Sequence, residues 1–329
     1  MAVAMSRFEV TKIRELEEAI DLLYDERRRL CKQINGKSVD DPERVRIEYK
    51  LKDSEKEIAA REEELASLKG RWSDYLHLID FDRAEQVADP VIKRLGEEYS
   101  AALFFIQDGK SFKGDYCVKR LKNRLHSVSS NVVPINIGHE SGIGSIKKTT
   151  ILQYLAGYEY TQDSDMTDDD TAIKRLCSPR DNRIIFIDLR FNENLKHRLD
   201  ILTWLLTEFW HKLVDHLNKI RAQSGYRLRV VLTILSFHAL ETNLLDRSLF
   251  HEGKDFDQRR IVELPLEMWG REVVKKWLIN YSKLALTDGD VSALVEKVYA
   301  ACPSGLPIEI DAELQDSLVQ LTLDQQGDG

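Results

Sequence analysis

The sequence predicts an N-terminal helical hairpin followed by an α/β domain with a parallel sheet. Apolar residues recur three and four apart through the first part of the chain, strand-length apolar runs begin at residue 101, and helical stretches separate those runs. The first pattern is typical of a coiled coil and the second of a doubly wound sheet. We therefore expect a hairpin over 1–79, an α/β domain over 80–283, and over 284–329 a short helical segment with a Gly-Leu-Pro turn and a disordered tail.

The hairpin prediction depends on two apolar seams. The first lies in residues 9–34 and the second in residues 47–75, and Asn35-Gly36 and Asp41-Pro42 break the pattern between them. Two such helices joined by a short polar turn should pack antiparallel, each roughly 45 Å long at ~1.5 Å per residue.

We interpret the seam as a surface for a protein partner or for a second copy of the chain, with a self-packed stalk as an equally weighted alternative. A two-helix hairpin buries too little apolar surface to be stable alone. Arg27 and Arg61 occupy seam positions, where a guanidinium without a carboxylate would be costly to bury. The predicted partner-binding residues are Leu16, Leu23, Arg27, Leu51, Arg61, Leu65 and Leu68.

Composition excludes several broad classes. The chain has 329 residues, a net charge of −8 and a pI near 5.6, which argues against general affinity for nucleic acid. A basic helix that contains Lys119, Arg120, Lys122 and Arg124 could form a local patch, although a solvated face explains it better. Without a membrane-length apolar run, a signal peptide or paired cysteines, the sequence predicts a cytoplasmic protein that contacts no membrane.

Other candidate chemistry has simpler explanations. Cys302 follows a predicted helix instead of a strand, which disfavours a nucleophile. His211 and Asp215 lie four apart on a helix without a third ligand, and the acidic run over 163–170 departs from a calcium loop. A glycine-rich stretch at Gly138–Gly144 matches no dinucleotide fingerprint. We expect no metal site.

The most specific motif follows the first strand, Ala101–Gln107. It comprises Gly109, Lys110, Lys113, Gly114, Asp115 and Tyr116, with the glycines at the Gly-x4-Gly spacing of a Walker A loop. A working loop continues with Lys and Ser/Thr, for the phosphates and magnesium. Asp115 and Tyr116 stand there instead, so we predict a P-loop NTPase-like fold with a degenerate phosphate loop and no catalytic residues.

The Walker B strand has two candidate positions. We favour Val230–Phe237, whose end offers Ser236 and His238 instead of carboxylates. The alternative is Ile184–Asp188, which reads as four apolar residues followed by an aspartate. The favoured position implies that the Walker B acid is lost.

The loop, "LPLEMW" over 264–269 and "GLPI" over 305–308 together resemble the STAND class of P-loop signalling ATPases. The likeness is to its inactive branch in bacterial conflict systems and covers roughly residues 80–310. It implies a non-catalytic adaptor, regulator or effector-docking protein in antiviral defence, without a cofactor. Its partner would be an effector such as a protease, with this chain as docking protein or substrate, or a sensor from the same operon. The alternatives are a nucleotide-binding or weakly active NTPase switch and a purely structural coiled-coil oligomer.

Overall fold

A computed structural model gives the architecture of the chain. Besides helical positions scattered between 12 and 33, it describes residues 42–69, 76–138, 146–157, 168–178, 182–191, 199–223, 227–240, 245–251, 255–282, 284 and 286–327. The chain divides into two compact units. One comprises Met1–Ile79, Gly270–Gly305 and Glu309–Gly329, and the other comprises Asp80–Trp269 and Leu306–Ile308.

The elements of both units are as follows. The strands are β1 (Ala101–Ile106), β2 (Val132–Ile137), β3 (Ile184–Phe191), β4 (Arg229–Ser236) and β5 (Ile261–Glu263). The α-helices are α1 (Pro42–Lys69), α2 (Asp82–Arg94), α3 (Gly114–Val128), α4 (Lys148–Leu155), α5 (Asp169–Leu176), α6 (Leu199–Trp204), α7 (Trp210–Gln223), α8 (Arg271–Tyr281), α9 (Asp288–Ala301) and α10 (Pro307–Gly327). A π-helical turn, Leu205–Phe209, joins α6 to α7, and Arg247–Leu249 is a 3₁₀ turn.

The α/β unit contains a five-stranded parallel sheet in the order β2-β3-β4-β1-β5. Every residue of β1 is buried, as its continuous apolar run predicts. On one face, a core cluster from β1, β3 and β4 packs against α4 to α7, including Phe105, Ile187 and Leu213. On the other face α3 contacts β3 and β4, and α2 packs on α3. The expected α/β fold class is therefore confirmed.

Strand β2 is more exposed than the apolar run Val132–Ile137 indicates. It forms an edge of the sheet, and Pro134 and Asn136 are exposed. Ile184 donates its N–H to the carbonyl of Asn131 at 2.9 Å, so the alternate residues of β2, including Pro134, direct their backbone groups to the open edge. Because proline has no N–H, Pro134 makes this edge a poorer template for strand pairing.

Helix α2 also begins earlier than expected. The sequence predicts a break at Asp89-Pro90 and a helix after it, whereas α2 runs through Pro90. Ala84, Ala88 and Val91 on its apolar face are all buried, so packing outweighs the intrahelical hydrogen bond that the proline removes.

The C-terminal segment also differs from its prediction. The predicted Gly-Leu-Pro turn is present after α9, but the chain then forms the 21-residue helix α10 instead of a disordered tail. Pro307 opens this helix at a position that requires no N–H donor. Ile310, Leu314 and Leu318, spaced four apart, are fully buried and stabilise it.

The unit that contains both ends of the chain is helical. Residues 270–283, which we assign to the α/β domain from the sequence, group here with residues 1–79 and most of the C-terminal segment. Thr287 caps α9 through a reciprocal capping box with Asp290. In the parts of the chain described above, no helix is both long and apolar enough to cross a bilayer.

Candidate functional site

The glycine loop lies at the carboxyl end of β1, between Ile106 and the first residue of α3, as predicted. Two of its non-glycine residues, Asp108 and Lys113, have left-handed φ angles of 50° and 54°. Such conformations cost roughly 1–3 kcal/mol each and persist only where the surroundings fix them. The loop is therefore held in a defined shape by the contacts around it.

Several loop N–H groups donate to protein carbonyls. Gly109 donates to Ser236 at 2.8 Å, Gly114 donates to Gly109 at 2.8 Å, and Phe112 donates to Asp108 at 3.2 Å. In a phosphate-binding loop, backbone N–H groups point at the anion. Here these three donors are already engaged, one of them by the neighbouring strand β4.

Because Gly109 and Gly114 have no side chains, the end of strand β4 can contact the loop directly. A Cβ atom at Gly114 would lie 2.7 Å from Cδ1 of Leu235 and 2.8 Å from the Cα of Gly109. A Cβ at Gly109 would also crowd Leu235 and would lie 3.2 Å from the Ser236 carbonyl oxygen. The Gly-x4-Gly spacing thus allows loop and strand to touch at a place where a nucleotide-binding fold leaves a crevice.

The residues at the altered Walker positions have local roles. Asp115 lies in the first turn of α3, where the helix dipole favours a carboxylate. The Lys113 ammonium lies 5.0 Å from the ring centroid of Tyr116, a cation–π contact. Lys110 is exposed. Of the two lysines that could replace the missing Walker lysine, Lys113 is therefore engaged with Tyr116.

The two candidate Walker B positions lie on neighbouring strands, and β4 is the one beside β1. The Ser236 hydroxyl is buried and donates to the His238 carbonyl at 2.6 Å, which closes a turn after β4. Asp188 on β3 is also buried and pairs with Arg190 at 2.9 Å. Both polar side chains thus have partners within the chain, and the choice between the two positions remains an interpretation.

Sequence reasoning missed a polar cluster beside the loop. Gln107 donates from Nε2 to Glu263 Oε1 at 2.6 Å, and its Oε1 accepts from the Leu240 N–H at 3.0 Å. Arg247 lies 3.7 Å from the other oxygen of Glu263. These contacts join the carboxyl ends of β1 and β5. No local motif marks them, because the partners come from distant parts of the sequence.

The basic helix is partly neutralised by α2. Arg120 pairs with Glu85 and lies 3.8 Å from Asp80, and Arg124 pairs with Asp89. The proposed basic patch thus loses two of its four charges to carboxylates within the same unit. This arrangement favours the solvated-face interpretation over a nucleic-acid site.

The three cysteines that the structure describes are buried and poorly suited to act as nucleophiles. Burial raises the pKa of Cys117 and of Cys177 to about 12, and it also raises the pKa of Cys302. A thiol with a raised pKa supplies little thiolate for nucleophilic attack. The other candidate, Asp215, pairs with Arg259, and the described residues hold no cluster of His, Cys, Asp and Glu suited to a metal ion.

The predicted partner-binding residues lie in the helical unit. Leu16 is buried, Leu23 and Leu51 are half-buried, and the side chains of Leu65 and Leu68 lie outside the described residues. Ion pairs link Lys12 to Glu64 and Arg27 to Glu55, in opposite order along the two helices. The antiparallel coiled-coil hairpin nevertheless remains a prediction, since the residues that would join the helices are not among those described.

The premise about the seam arginines is wrong. Arg27 lies 3.2 Å from Glu55, and Arg61 lies 2.7 Å from Glu57, one turn earlier on the same helix. Both guanidinium groups are partly exposed and have carboxylate partners in the chain, so neither requires a partner protein to supply one. Exposed pairs of this kind contribute well under ~1 kcal/mol each.

Comparison with known proteins gives one family match, over slightly less than half of the chain. The model of the inactive STAND family, abbreviated iSTAND, matches residues 76–235. No curated protein sequence matches the chain significantly.

Among solved structures, the chain is similar to Rif2 of Saccharomyces cerevisiae, at 13% identity and a TM-score of 0.38, over 77% of this chain and 93% of that one. It is also similar to Rif2 in complex with the C-terminal domain of Rap1, at 12% identity and a TM-score of 0.34, over 76% and 84% of the two chains.

The family match covers β1 to β3, β4 as far as Leu235, and the whole glycine loop with Asp115 and Tyr116. The family name denotes a degenerate NTPase-like domain. Residues 76–235 of this chain therefore form an inactive STAND-like domain.

Proposed function

We propose that the protein is a non-catalytic adaptor or regulator that binds a protein partner and turns over no nucleotide. The observation that carries the proposal is the closed glycine loop, in which the Gly109 N–H donates to Ser236 and Leu235 packs against both loop glycines. Phosphoryl transfer depends on positioning and on positive charge at the phosphates. A loop with engaged donors and Asp115 at the lysine position offers neither.

The resemblance to inactive STAND proteins supports a finer form of this proposal. The partner would be an effector, such as a protease, or a sensor encoded nearby, in a bacterial antiviral pathway. The chain would dock that effector or serve as its substrate. This part of the proposal depends on the family likeness and not on a particular contact.

For the partner surface we favour exposed residues of the N-terminal helices over the buried seam. Leu16 is only 6% exposed and so stabilises its own unit, whereas Leu22 is 70% and Tyr49 is 69% exposed. Val45, 48% exposed, lies four residues before Tyr49 on the same face of α1. Exposed apolar side chains that share a helix face are typical of protein-binding surfaces.

The experiment measures binding to the product of a neighbouring effector or sensor gene, by calorimetry with the purified full chain. Tyr49→Asp should weaken binding by at least about tenfold if this face is central to the interface, as buried aromatic anchors are. Lys297→Asp, at an exposed polar position on α9, is the control and should bind within about threefold of wild type. Equal binding by all three proteins would exclude this surface.

The alternative function is a nucleotide switch, in which Lys110 or a lysine from a partner would supply the missing charge. Magnesium-dependent ATP turnover by the purified chain, alone or with its partner, would favour this alternative. The proposed adaptor should show no turnover above background in either mixture.

A further inference from the structure

The glycine loop contacts a turn that is distant in the sequence. Ile308 donates its backbone N–H to the carbonyl of Ser111 at 3.0 Å. The tripeptide Leu306–Ile308 also groups with the α/β unit, although the residues on either side of it group with the helical unit. The loop and this turn therefore belong to one compact unit.

The donor in this contact, the Ile308 N–H, has no acceptor within its own helix. The first N–H groups of an α-helix have no acceptor within the helix. Pro307, the first residue of α10, has no N–H, so Ile308 carries the first donor of the helix. The Ser111 carbonyl accepts from it, as a capping group would.

The acceptor is held in place by the loop. The Ser111 hydroxyl donates to Asp108 Oδ1 at 2.9 Å, and Asp108 accepts through its carbonyl from Phe112. A short hydrogen-bonded turn, with the left-handed Asp108 at its start, therefore fixes the Ser111 peptide. On this side the loop presents a carbonyl oxygen, whereas a phosphate loop presents N–H groups. Its polarity suits a hydrogen-bond donor and not an anion.

We propose that the loop binds the chain's own Leu306–Ile308 turn, and that this contact is a latch between the degenerate loop and the start of α10. The loop contributes a carbonyl oxygen to this contact, so the group that it binds is a peptide N–H and not a phosphate. Opening the loop frees the Ile308 N–H, and closing it engages that N–H again. The latch goes beyond the proposed function, because it operates within the chain whether or not a partner is bound.

The test is amide hydrogen exchange of the full chain, resolved at Ile308. Since an uncapped first-turn amide exchanges almost freely, the latch predicts that Ile308 exchanges at least about fivefold more slowly than an unstructured amide. Magnesium-ATP and inorganic phosphate should leave this rate unchanged. Unprotected exchange at Ile308 in the wild-type chain would overturn the proposal.

Two variants connect the protection to the loop. Gly114→Ala forces a Cβ to within 2.8 Å of the Gly109 Cα and should restore fast exchange at Ile308, with the Leu103 amide in β1 still protected. Ser111→Ala removes only the hydroxyl bond to Asp108 and should increase the exchange rate at Ile308 several-fold. This variant keeps the test valid if Gly114→Ala unfolds. Ser304→Ala is the matched control, because its hydroxyl bonds to Glu309 and not to the loop. If the Gly109 amide loses its protection from exchange in Gly114→Ala while the Ile308 amide keeps it, the proposed latch is wrong.

Discussion

The backbone N–H of Gly109 donates a 2.8 Å hydrogen bond to the carbonyl of Ser236 at the end of the adjacent strand. This bond joins the glycine loop to β4 at the carboxyl edge of the sheet. Connections leave the sheet on opposite faces at this point, and open α/β sheets bind their ligands in the crevice formed there. In this protein the side chain of Leu235 occupies the space between loop and strand, and the bond to Ser236 holds the two together.

Gly114→Ala should destabilise the protein by about 1–3 kcal/mol, the usual range for added volume in a packed site. The new Cβ meets the Gly109 backbone as well as Leu235, so a change of side-chain rotamer alone cannot relieve the clash. Urea unfolding followed by circular dichroism measures the change.

Gly289→Ala is the control for that substitution. Its Cβ would lie 3.6 Å from Thr287 Oγ1, an ordinary contact, and the residue lies in the first turn of α9. Alanine should therefore stabilise the protein slightly, by up to about 1 kcal/mol. Equal effects of the two substitutions would show that Gly114 has no special role in closing the loop.

The parts that could be predicted from the sequence are those with a local signal. The apolar run of β1, the glycine spacing and the periodicity of α7 each follow from neighbouring residues. The helix through Pro90 could not be predicted in this way, because burial of Ala84 and Ala88 decides it. Likewise, the α10 helix was missed because it follows a Gly-Leu-Pro turn, and burial of Ile310, Leu314 and Leu318 stabilises it.

The candidate site was less predictable than the fold. The residues of the loop were found from their spacing, and Asp115 and Tyr116 at the Walker positions predict the loss of Walker function. Its closure, however, depends on the carbonyl of Ser236 and the side chain of Leu235, and the latch depends on backbone atoms of Ser111 and Ile308. Backbone groups have no side-chain signature, so contacts between them over a long separation are invisible in a single sequence.

Within the N-terminal helices, Leu16→Ala should destabilise the protein by about 2–5 kcal/mol, because the side chain is 6% exposed and its removal leaves a cavity. Leu22→Ala, at a side chain 70% exposed on the same stretch of chain, should change stability by less than about 0.5 kcal/mol. Thermal and urea unfolding of both variants measure the two changes in stability. Similar values for the two would contradict the assigned burial.

The free energy of unfolding should fall at alkaline pH, because a buried thiol loses its proton more readily in the unfolded chain. Burial raises the pKa of Cys117 to about 12, so the folded state keeps a proton that the unfolded chain loses near its ordinary value of 9.0. This contribution is complete below that value and is lost as the pH rises towards about 12, at up to ~1.4 kcal/mol per pH unit. Cys117→Ala should flatten the decline of unfolding free energy above pH 9, and an unchanged slope would contradict the burial of the thiol.

Restoring the Walker residues alone should not restore binding. The double substitution of Asp115→Lys with Tyr116→Thr returns the lysine and the hydroxyl, but the N–H groups of Gly109, Phe112 and Gly114 stay bonded to carbonyls. We expect no magnesium-ATP-dependent rise in the melting temperature of this variant. A clear rise would mean that the closed loop opens at little cost in free energy.

The central claim is that the closed loop binds and hydrolyses no nucleotide, and calorimetric titration of the purified wild-type chain with magnesium-ATP tests it most directly. The closed loop predicts no binding heat above dilution, and a parallel phosphate-release assay should show no turnover above background. Lys110→Ala, which removes the exposed lysine of the loop, should behave like wild type in both measurements. Saturable magnesium-dependent binding by wild type that is lost in Lys110→Ala would contradict the claim.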